Sequence, residues 1–228
     1  MSAASTPSKA FDEWLEAQGV ALDPDRRELL RRYAALVLEH NRKTNLTAAK
    51  DASDVFSRHL ADGIAAVPLL RRLLADRPGP SILDVGSGGG FIGVAIEAAW
   101  PEARVWLLES SHRKFLFLNW AAVALGLQAR AVWARAERSL KSRPAAWGPA
   151  DGFDAAVGRA LAPLEDAMPL CVPLVREGGC FVAYSSDGKV GPKAEAMSNR
   201  LGAPLYSTRA YRLPEETKDR HLLAFRKG

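Results

Sequence analysis

Cysteine and histidine are scarce in this chain: two cysteines, Cys171 and Cys180, and four histidines in 228 residues. Neither C-x-x-C nor H-E-x-x-H spacing occurs, which excludes the common zinc frameworks and a disulfide scaffold, so no metal is expected. No apolar run approaches the roughly 20 residues that span a bilayer, and no charged and apolar leader opens the sequence. A reducing, cytoplasmic setting without a membrane partner is the expectation. Hydrophobic residues make up 48%, enough at this length for one sizeable core with a modest appendage.

What is present is a glycine loop. Ser81-Ile82-Leu83-Asp84-Val85-Gly86-Ser87-Gly88-Gly89-Gly90-Phe91-Ile92-Gly93 reads as an apolar strand that ends in an acid and opens through a glycine-rich turn into a helix. Glycines at 86, 88 and 90 let the backbone turn sharply and approach a ligand, and the helix start offers unpaired N–H groups. The order D-x-G-x-G-x-G points to S-adenosylmethionine: Asp84 attracts the ammonium of a methionine moiety, whereas a pyrophosphate is repelled by it. Gly88 to Gly93 also fits the G-x-G-x-x-G dinucleotide fingerprint, which keeps an NAD(P)-dependent oxidoreductase open as an alternative. Its register starts two residues late, and no Tyr-x-x-x-Lys proton relay follows the fourth strand. A non-catalytic RNA-binding module is the third reading.

A second acid, Glu109, ends the strand from Arg104 to Leu108 about 20 residues further on, where a carboxylate accepts both hydroxyls of an adenosine ribose. The alternative is that Glu109 only starts the helix after Ser110-Ser111. The formal charge is +5, and most of its excess lies beyond residue 80. It is densest from Arg130 to Arg143, where Arg130, Arg135, Arg138, Lys141 and Arg143 face Glu137 alone. In isolation that is a solvated basic face; beside a cofactor site it reads as a track for RNA phosphates.

Periodicity organises the rest. Residues 1–10 are small and polar and read as a flexible N-terminus. Helical stripes run from Phe11 to Gln18, from Pro24 to His40 and from Ala52 to Leu74, and Arg77-Pro78-Gly79-Pro80 is a linker, so residues 11–79 form a helical annex. From 80 to 228 strands (82–85, 104–108, 129–134, 153–158, 179–184) alternate with helices (91–99, 112–125, 163–174, 191–201), and two strands near 205–213 and 220–226 close the chain. Ser142 to Gly152 reads as a flexible loop. Alternation of this kind specifies a mostly parallel sheet covered on both faces, with an antiparallel ending: an α/β, Rossmann-like, seven-stranded class I S-adenosylmethionine-dependent methyltransferase domain.

Four segments then carry a family resemblance. Asn41-Arg42-Lys43-Thr44-Asn45-Leu46-Thr47, Arg58-His59-Leu60-Ala61-Asp62, the loop from Asp84 to Gly93, and Arg159-Ala160 together resemble the bacterial small-subunit ribosomal RNA guanine-N7 methyltransferases, the glucose-inhibited division protein B family, from roughly Phe11 to the C-terminus. The segment Glu109 to Leu118 is similar to the family's acid-S-x-x-K-R-x-x-F-L, with Glu for the usual Asp and the two basic residues exchanged. The resemblance implies methyl transfer from S-adenosylmethionine to N7 of a guanine in the 530 loop of 16S rRNA, with 16S rRNA or the small ribosomal subunit as partner and a monomeric enzyme. It implies cofactor contacts from Asp84, Gly86, Gly88, Gly90, Phe91, Glu109, Ala136, Glu137 and Arg159, and catalytic roles for Asn45, His59 and Arg159, with Thr47 and Asp62 beside them in a lid. Arg113, Lys114, Arg135, Arg138, Lys141 and Arg143 are the candidate RNA contacts. Two positions depart from the family: Tyr184-Ser185-Ser186-Asp187-Gly188 lacks the usual Lys-Gly pair, with Lys189 nearby, and Ile92 replaces a proline.

Guanine N7 carries an unprotonated lone pair, so the implied reaction needs alignment rather than a general base. Arg159 is expected to hold a phosphate or the cofactor carboxylate, the alternative being a strand-end pair with Asp84 or Asp154. Phe91 and Trp133 are the candidate stacking partners for a guanine splayed from its helix, the alternative for either being a place in the core.

Overall fold

The structure, a computed structural model, describes residues 9–136 and 147–228. Helix α1 (Lys9–Gln18) turns Phe11, Trp14 and Leu15 inward. Helix α2 (Pro24–Thr44) begins where Asp23 accepts the Arg26 N–H at 2.8 Å and Pro24 fixes the first turn. It runs one turn past His40, where the apolar stripe ends. Asn41 supplies the reason: its Oδ1 accepts the N–H groups of Leu46 and Thr47, its Nδ2 donates to Thr47 O, and Asn45 closes the helix in the left-handed region at φ 54.

The third helical stretch is continuous, as its periodicity predicts, but it is not uniform. A short α3 (Ala52–Asp54) passes through a π-helical segment, Val55–Leu60, into α4 (Ala61–Leu73). The wider turn resets which side chains face inward.

The sheet contains β1 (Ser81–Val85), β2 (Arg104–Glu109), β3 (Arg130–Trp133), β4 (Phe153–Gly158), β5 (Val175–Ser185), β6 (Leu205–Tyr211) and β7 (Arg220–Arg226). Helices α5 (Phe91–Ala99), α6 (His112–Leu125), α7 (Leu164–Cys171) and α8 (Pro192–Arg200) connect them. The order is β3-β2-β1-β4-β5-β7-β6, with β7 antiparallel to both neighbours and the other pairs parallel. Strand β5 starts four residues before the predicted Gly179, because Val175 pairs with Phe153 across a register shift.

Alternation along each strand feeds two cores. Ile82, Val105, Leu107 and Val157 face α5, α6 and the annex, whose Phe11, Leu30, Tyr33 and Ile64 belong to the same apolar cluster. Leu83, Trp106, Ala156 and Phe181 face the α7 and α8 side. Gly63 lets α4 lie directly on α5, since a Cβ there would sit 2.6 Å from Ala95 Cβ and 2.8 Å from Ile92 O. That close crossing holds the π-helical turn over the carboxyl ends of β1 and β4.

Among the described residues no helix is long and apolar enough to cross a membrane, and no group of three His, Cys, Asp or Glu side chains could hold a metal ion. Burial pushes both cysteine thiols up, that of Cys180 to about 12, so neither is a nucleophile.

Candidate active site

The glycine loop leaves β1 at its carboxyl end. Gly86, Gly88 and Gly90 all have positive φ, at 66°, 59° and 83°, where an L side chain is strained. Hydrogen bonds fix the turn from four sides. Asp84 Oδ2 accepts the Gly93 N–H at 3.0 Å; Ser87 Oγ donates to Asp84 O at 2.8 Å; Glu109 Oε2 accepts the Gly88 N–H at 2.8 Å; and the Tyr33 hydroxyl, from α2, donates to Gly89 O. Burial drives the Asp84 carboxyl up to about 7, against the pull of the Gly93 N–H and of Arg159.

This cradle suits a nucleoside cofactor. A Cβ at Gly88 would meet nothing nearer than Gly86 O at 3.9 Å, so the loop is open on that side. Glu109 stands beside the opening; its Oε1 accepts the Ser111 N–H at 2.7 Å, and each oxygen keeps a second lone pair for a ribose hydroxyl. The Ser111 N–H bond places Glu109 at the start of α6, the second of its two sequence readings.

The second half of the site is a polar junction built from six segments, from Thr47 to Arg220. Arg159, at the end of β4, donates from Nη1 to Asp62 Oδ2 at 2.6 Å and from Nη2 to His59 Nδ1 at 3.2 Å. A guanidinium only donates, so His59 Nδ1 is the acceptor and Nε2 carries the proton, which goes to Thr47 Oγ1 at 2.6 Å. Burial and the Arg159 charge hold His59 down at about 4, neutral at physiological pH. Asp62, 1% exposed, also accepts from the Tyr211 hydroxyl at 2.6 Å and from Arg220 Nη1 at 3.4 Å. Tyr184 donates to Asp62 O at 3.1 Å. A cleft of about 670 Å³ opens beside this junction, lined among others by Arg159, Tyr184, Tyr211, Lys218 and Arg220.

The sequence-predicted residues fall into three groups. His59, Asp62, Thr47 and Arg159 meet at the junction, and Asp84, Gly86, Gly88, Gly90 and Glu109 form the cradle. Arg159 pairs with Asp62, not with Asp84 or Asp154; Asp154 is held by Ser81 and Arg176. Phe91 is a correction: it is buried, its ring 4.5 Å from His59 and 6.2 Å from Tyr33, so it backs His59 and offers no free face to a base. Asn45 is exposed at the end of α2. Ala136 is half-buried beyond β3, Arg113 and Arg135 are exposed, and Lys114 is partly so. Glu137, Arg138, Lys141, Arg143 and residues 142–146 of the predicted loop lie outside the described residues. In place of the family Lys-Gly pair, Ser185, Asp187 and Gly188 hydrogen-bond one another, and Lys189 lines a smaller pocket of about 240 Å³ with Leu161 and Ser186.

Sequence reasoning missed Tyr33, Tyr184, Tyr211 and Arg220 as site-builders, and Asn41 as the residue that shapes the turn before Thr47. The tyrosines and Arg220 carry no local signal, because each acts on a partner brought near only by the fold; Asn41 acts on Leu46 and Thr47, close in the chain, but leaves no mark in the apolar periodicity.

A seven-stranded sheet of this order, with a glycine cradle and an acid at the tips of its first two strands, is that of a class I S-adenosylmethionine-dependent methyltransferase. The fold is similar to that of magnesium protoporphyrin IX methyltransferase from Synechocystis PCC 6803 (15% identity, TM-score 0.55, 85% of this chain and 97% of that one). It is likewise similar to the CcbJ methyltransferase from Streptomyces caelestis (13% identity, TM-score 0.57, 86% and 98%).

Within that class the chain belongs to the rRNA small subunit methyltransferase G family, whose model matches residues 26–222. Ribosomal RNA small subunit methyltransferase G of Staphylococcus epidermidis is 33% identical over 93% of this chain and 87% of its own. The protein of that name from Sorangium cellulosum is 38% identical over 84% and 77%. S-adenosylmethionine is the cofactor, and the oxidoreductase and non-catalytic readings fall with that membership.

Proposed function

We propose that this enzyme methylates N7 of a guanine in the 530 loop of 16S rRNA, acting in the cytoplasm as a single chain without a metal. The observation that carries the choice of atom is the engagement of the titratable side chains at the junction. Asp62 is tied to Arg159, Arg220 and Tyr211, and His59 Nδ1 accepts from Arg159. Asp84 is buried against the Gly93 N–H. Hydroxyl and exocyclic amine targets require a base to take a proton; N7 does not.

When bound, S-adenosylmethionine supplies an electrophilic methyl group and its own leaving group. The chain's part is position. Asp84, Gly86, Gly88, Gly90 and Glu109 would hold the cofactor, and Arg159, fixed by Asp62 and His59, would orient a phosphate or carboxylate at the cleft. Orientation alone is worth several kcal/mol of barrier, on the order of 7–11 in well-aligned cases. Residues 11–79 serve as the lid of a catalytic domain formed by 80–228, since Asp62 and His59 reach Arg159 from the annex. The relatives' name, ribosomal RNA small subunit methyltransferase G, and the basic balance of the chain support RNA as the acceptor.

The test is 16S rRNA transcribed with 7-deazaguanosine in place of guanosine, which puts carbon where N7 was. Label should pass from methyl-labelled S-adenosylmethionine to the ordinary transcript and not to the deaza transcript. Equal labelling of both overturns the choice of N7.

A further inference from the structure

Among the described residues six aromatic or aliphatic side chains of large size stand exposed, and of these Trp133, at 55%, is the one beside the cofactor cradle. It ends β3, in register with Glu109, and its Nε1 donates to Ser110 O at 3.2 Å. The indole is held in place from α6: the His112 ring centroid lies 4.3 Å away and that of Phe115 6.3 Å, nearly parallel at 22°. A large ring kept rigid and left more than half open is poor economy for a monomer's surface and a good stacking surface, since little rotamer freedom remains to be lost on contact.

Its surroundings are cationic. Arg113 and Lys114 occupy the same helical turn as His112, and Arg135 follows two residues after Trp133. Arg113 Nη1 also donates to Lys43 O at 3.3 Å, which brings the Arg42-Lys43 end of α2 to this edge. Aromatic faces interleaved with Lys and Arg are what a single-stranded nucleic acid requires: the rings take bases, the cations take phosphates.

Location decides which base. Trp133 lies on β3 and the Arg159 junction at the end of β4, three strand steps apart in the order β3-β2-β1-β4. At about 4.8 Å per step that is some 14 Å, too far for one ring to stack a guanine that is being methylated at the junction. We propose that Trp133, braced by His112 and Phe115, is a stacking platform for an unpaired RNA base a few nucleotides from the target guanine. The inference rests on the RNA-methyltransferase reading and adds to it a second contact that sets how the strand crosses the cradle.

Trp133→Ala and Trp133→Tyr test it, with binding of a 16S rRNA fragment that spans the 530 loop and titration with S-adenosylhomocysteine. The Ala variant should raise the RNA dissociation constant and the KM for RNA roughly 5- to 150-fold, the range for one lost base–aromatic stack. The rate at saturating RNA and the S-adenosylhomocysteine affinity should stay as they were, and the Tyr variant should keep most of the binding. In the unmodified protein, 5-iodouridine-substituted RNA should photocross-link to the peptide containing Trp133. Loss of S-adenosylhomocysteine affinity with RNA binding intact would make Trp133 a cofactor wall and overturn the proposal, as would a cross-link map without that peptide. Failure of the unmodified enzyme to methylate rRNA, with the Trp133 effect on RNA binding preserved, would instead remove the catalytic reading and leave the platform.

Discussion

Arg159 Nη1 lies 2.6 Å from Asp62 Oδ2, a contact between the end of β4 and the annex helix, with the Asp62 side chain 1% exposed. Removing one partner of a buried pair strands the other. Arg159→Ala leaves Asp62 only partly compensated, by Tyr211 at 2.6 Å and Arg220 at 3.4 Å, and should cost about 1.5–3 kcal/mol of stability. Arg159→Ala combined with Asp62→Asn should recover part of that loss, because the stranded charge is gone. Urea unfolding of the two variants checks it; a double variant no more stable than the single one would deny the pair its structural role.

Asp84 and His59 should bend the pH dependence of stability in opposite directions. Asp84 is raised from 3.8 to about 7, so its contribution is complete below pH 3.8 and is lost as pH rises toward 7. His59 is lowered from 6.5 to about 4, so the unfolded chain takes up a proton that the folded one refuses, and its contribution is complete above pH 6.5 and lost as pH falls toward 4. The half-buried imidazole is screened, which limits its share to no more than about 2 kcal/mol. Relative to the unmodified protein, Asp84→Asn should therefore gain stability as pH rises from 4 to 6.5, and His59→Gln should lose it. Unfolding free energies at half-unit pH intervals decide; parallel curves would mean that neither group is perturbed.

Glu109→Gln should weaken cofactor binding and stability together. The carboxylate accepts two backbone N–H groups, from Gly88 and Ser111, and an amide nitrogen in place of one oxygen faces a donor with a donor. The expected loss is about 1–3 kcal/mol in S-adenosylhomocysteine binding, with a lowered melting temperature. Calorimetric titration beside a thermal melt separates the two; a lower melting temperature with unchanged affinity would leave Glu109 only its helix-starting role.

Gly86 and Gly88 should not respond alike. Gly86→Val puts a β-branched side chain at φ 66° and 2.3 Å from Leu161 Cδ2, so it should destabilise the fold as well as the cradle. Gly88→Ala meets no such clash and carries only left-handed strain, about 1–2 kcal/mol. It should lower S-adenosylhomocysteine affinity at least tenfold in a protein that still melts cooperatively. Undiminished affinity would show that the open side of the loop is not where the cofactor lies.

The cradle was legible in the sequence because its determinants are local: glycines at positive φ and an acid at each of two strand tips. The mostly parallel sheet with an antiparallel ending followed from alternation and from the short return before β7; the order of the strands did not. The junction was legible only through resemblance, which supplied His59, Asp62 and Arg159 but not their arrangement. Two physical causes hid the rest. The π-helical turn at Val55–Leu60 is a hydrogen-bonding choice that leaves no periodic trace. Tyr33, Tyr211 and Arg220 act on partners 56, 149 and 158 residues away, Tyr211 reaching Asp62 from the edge strand of the sheet. Asn41 shows the same limit at short range, since the stripe that ends at His40 does not reveal the side chain that carries the helix one turn further.

The most direct measurement is methyl transfer from labelled S-adenosylmethionine to small ribosomal subunits and to free 16S rRNA, followed by chemical cleavage at N7-methylguanine and mapping of the break. N7 methylation fixes a positive charge on the purine and makes that bond cleavable, which methylation at exocyclic or ribose atoms does not. One break, at a guanine of the 530 loop, is the result predicted, and it should vanish with Arg159→Ala. Label on the RNA without cleavage would contradict the N7 assignment, and label on no RNA at all would contradict the proposed substrate.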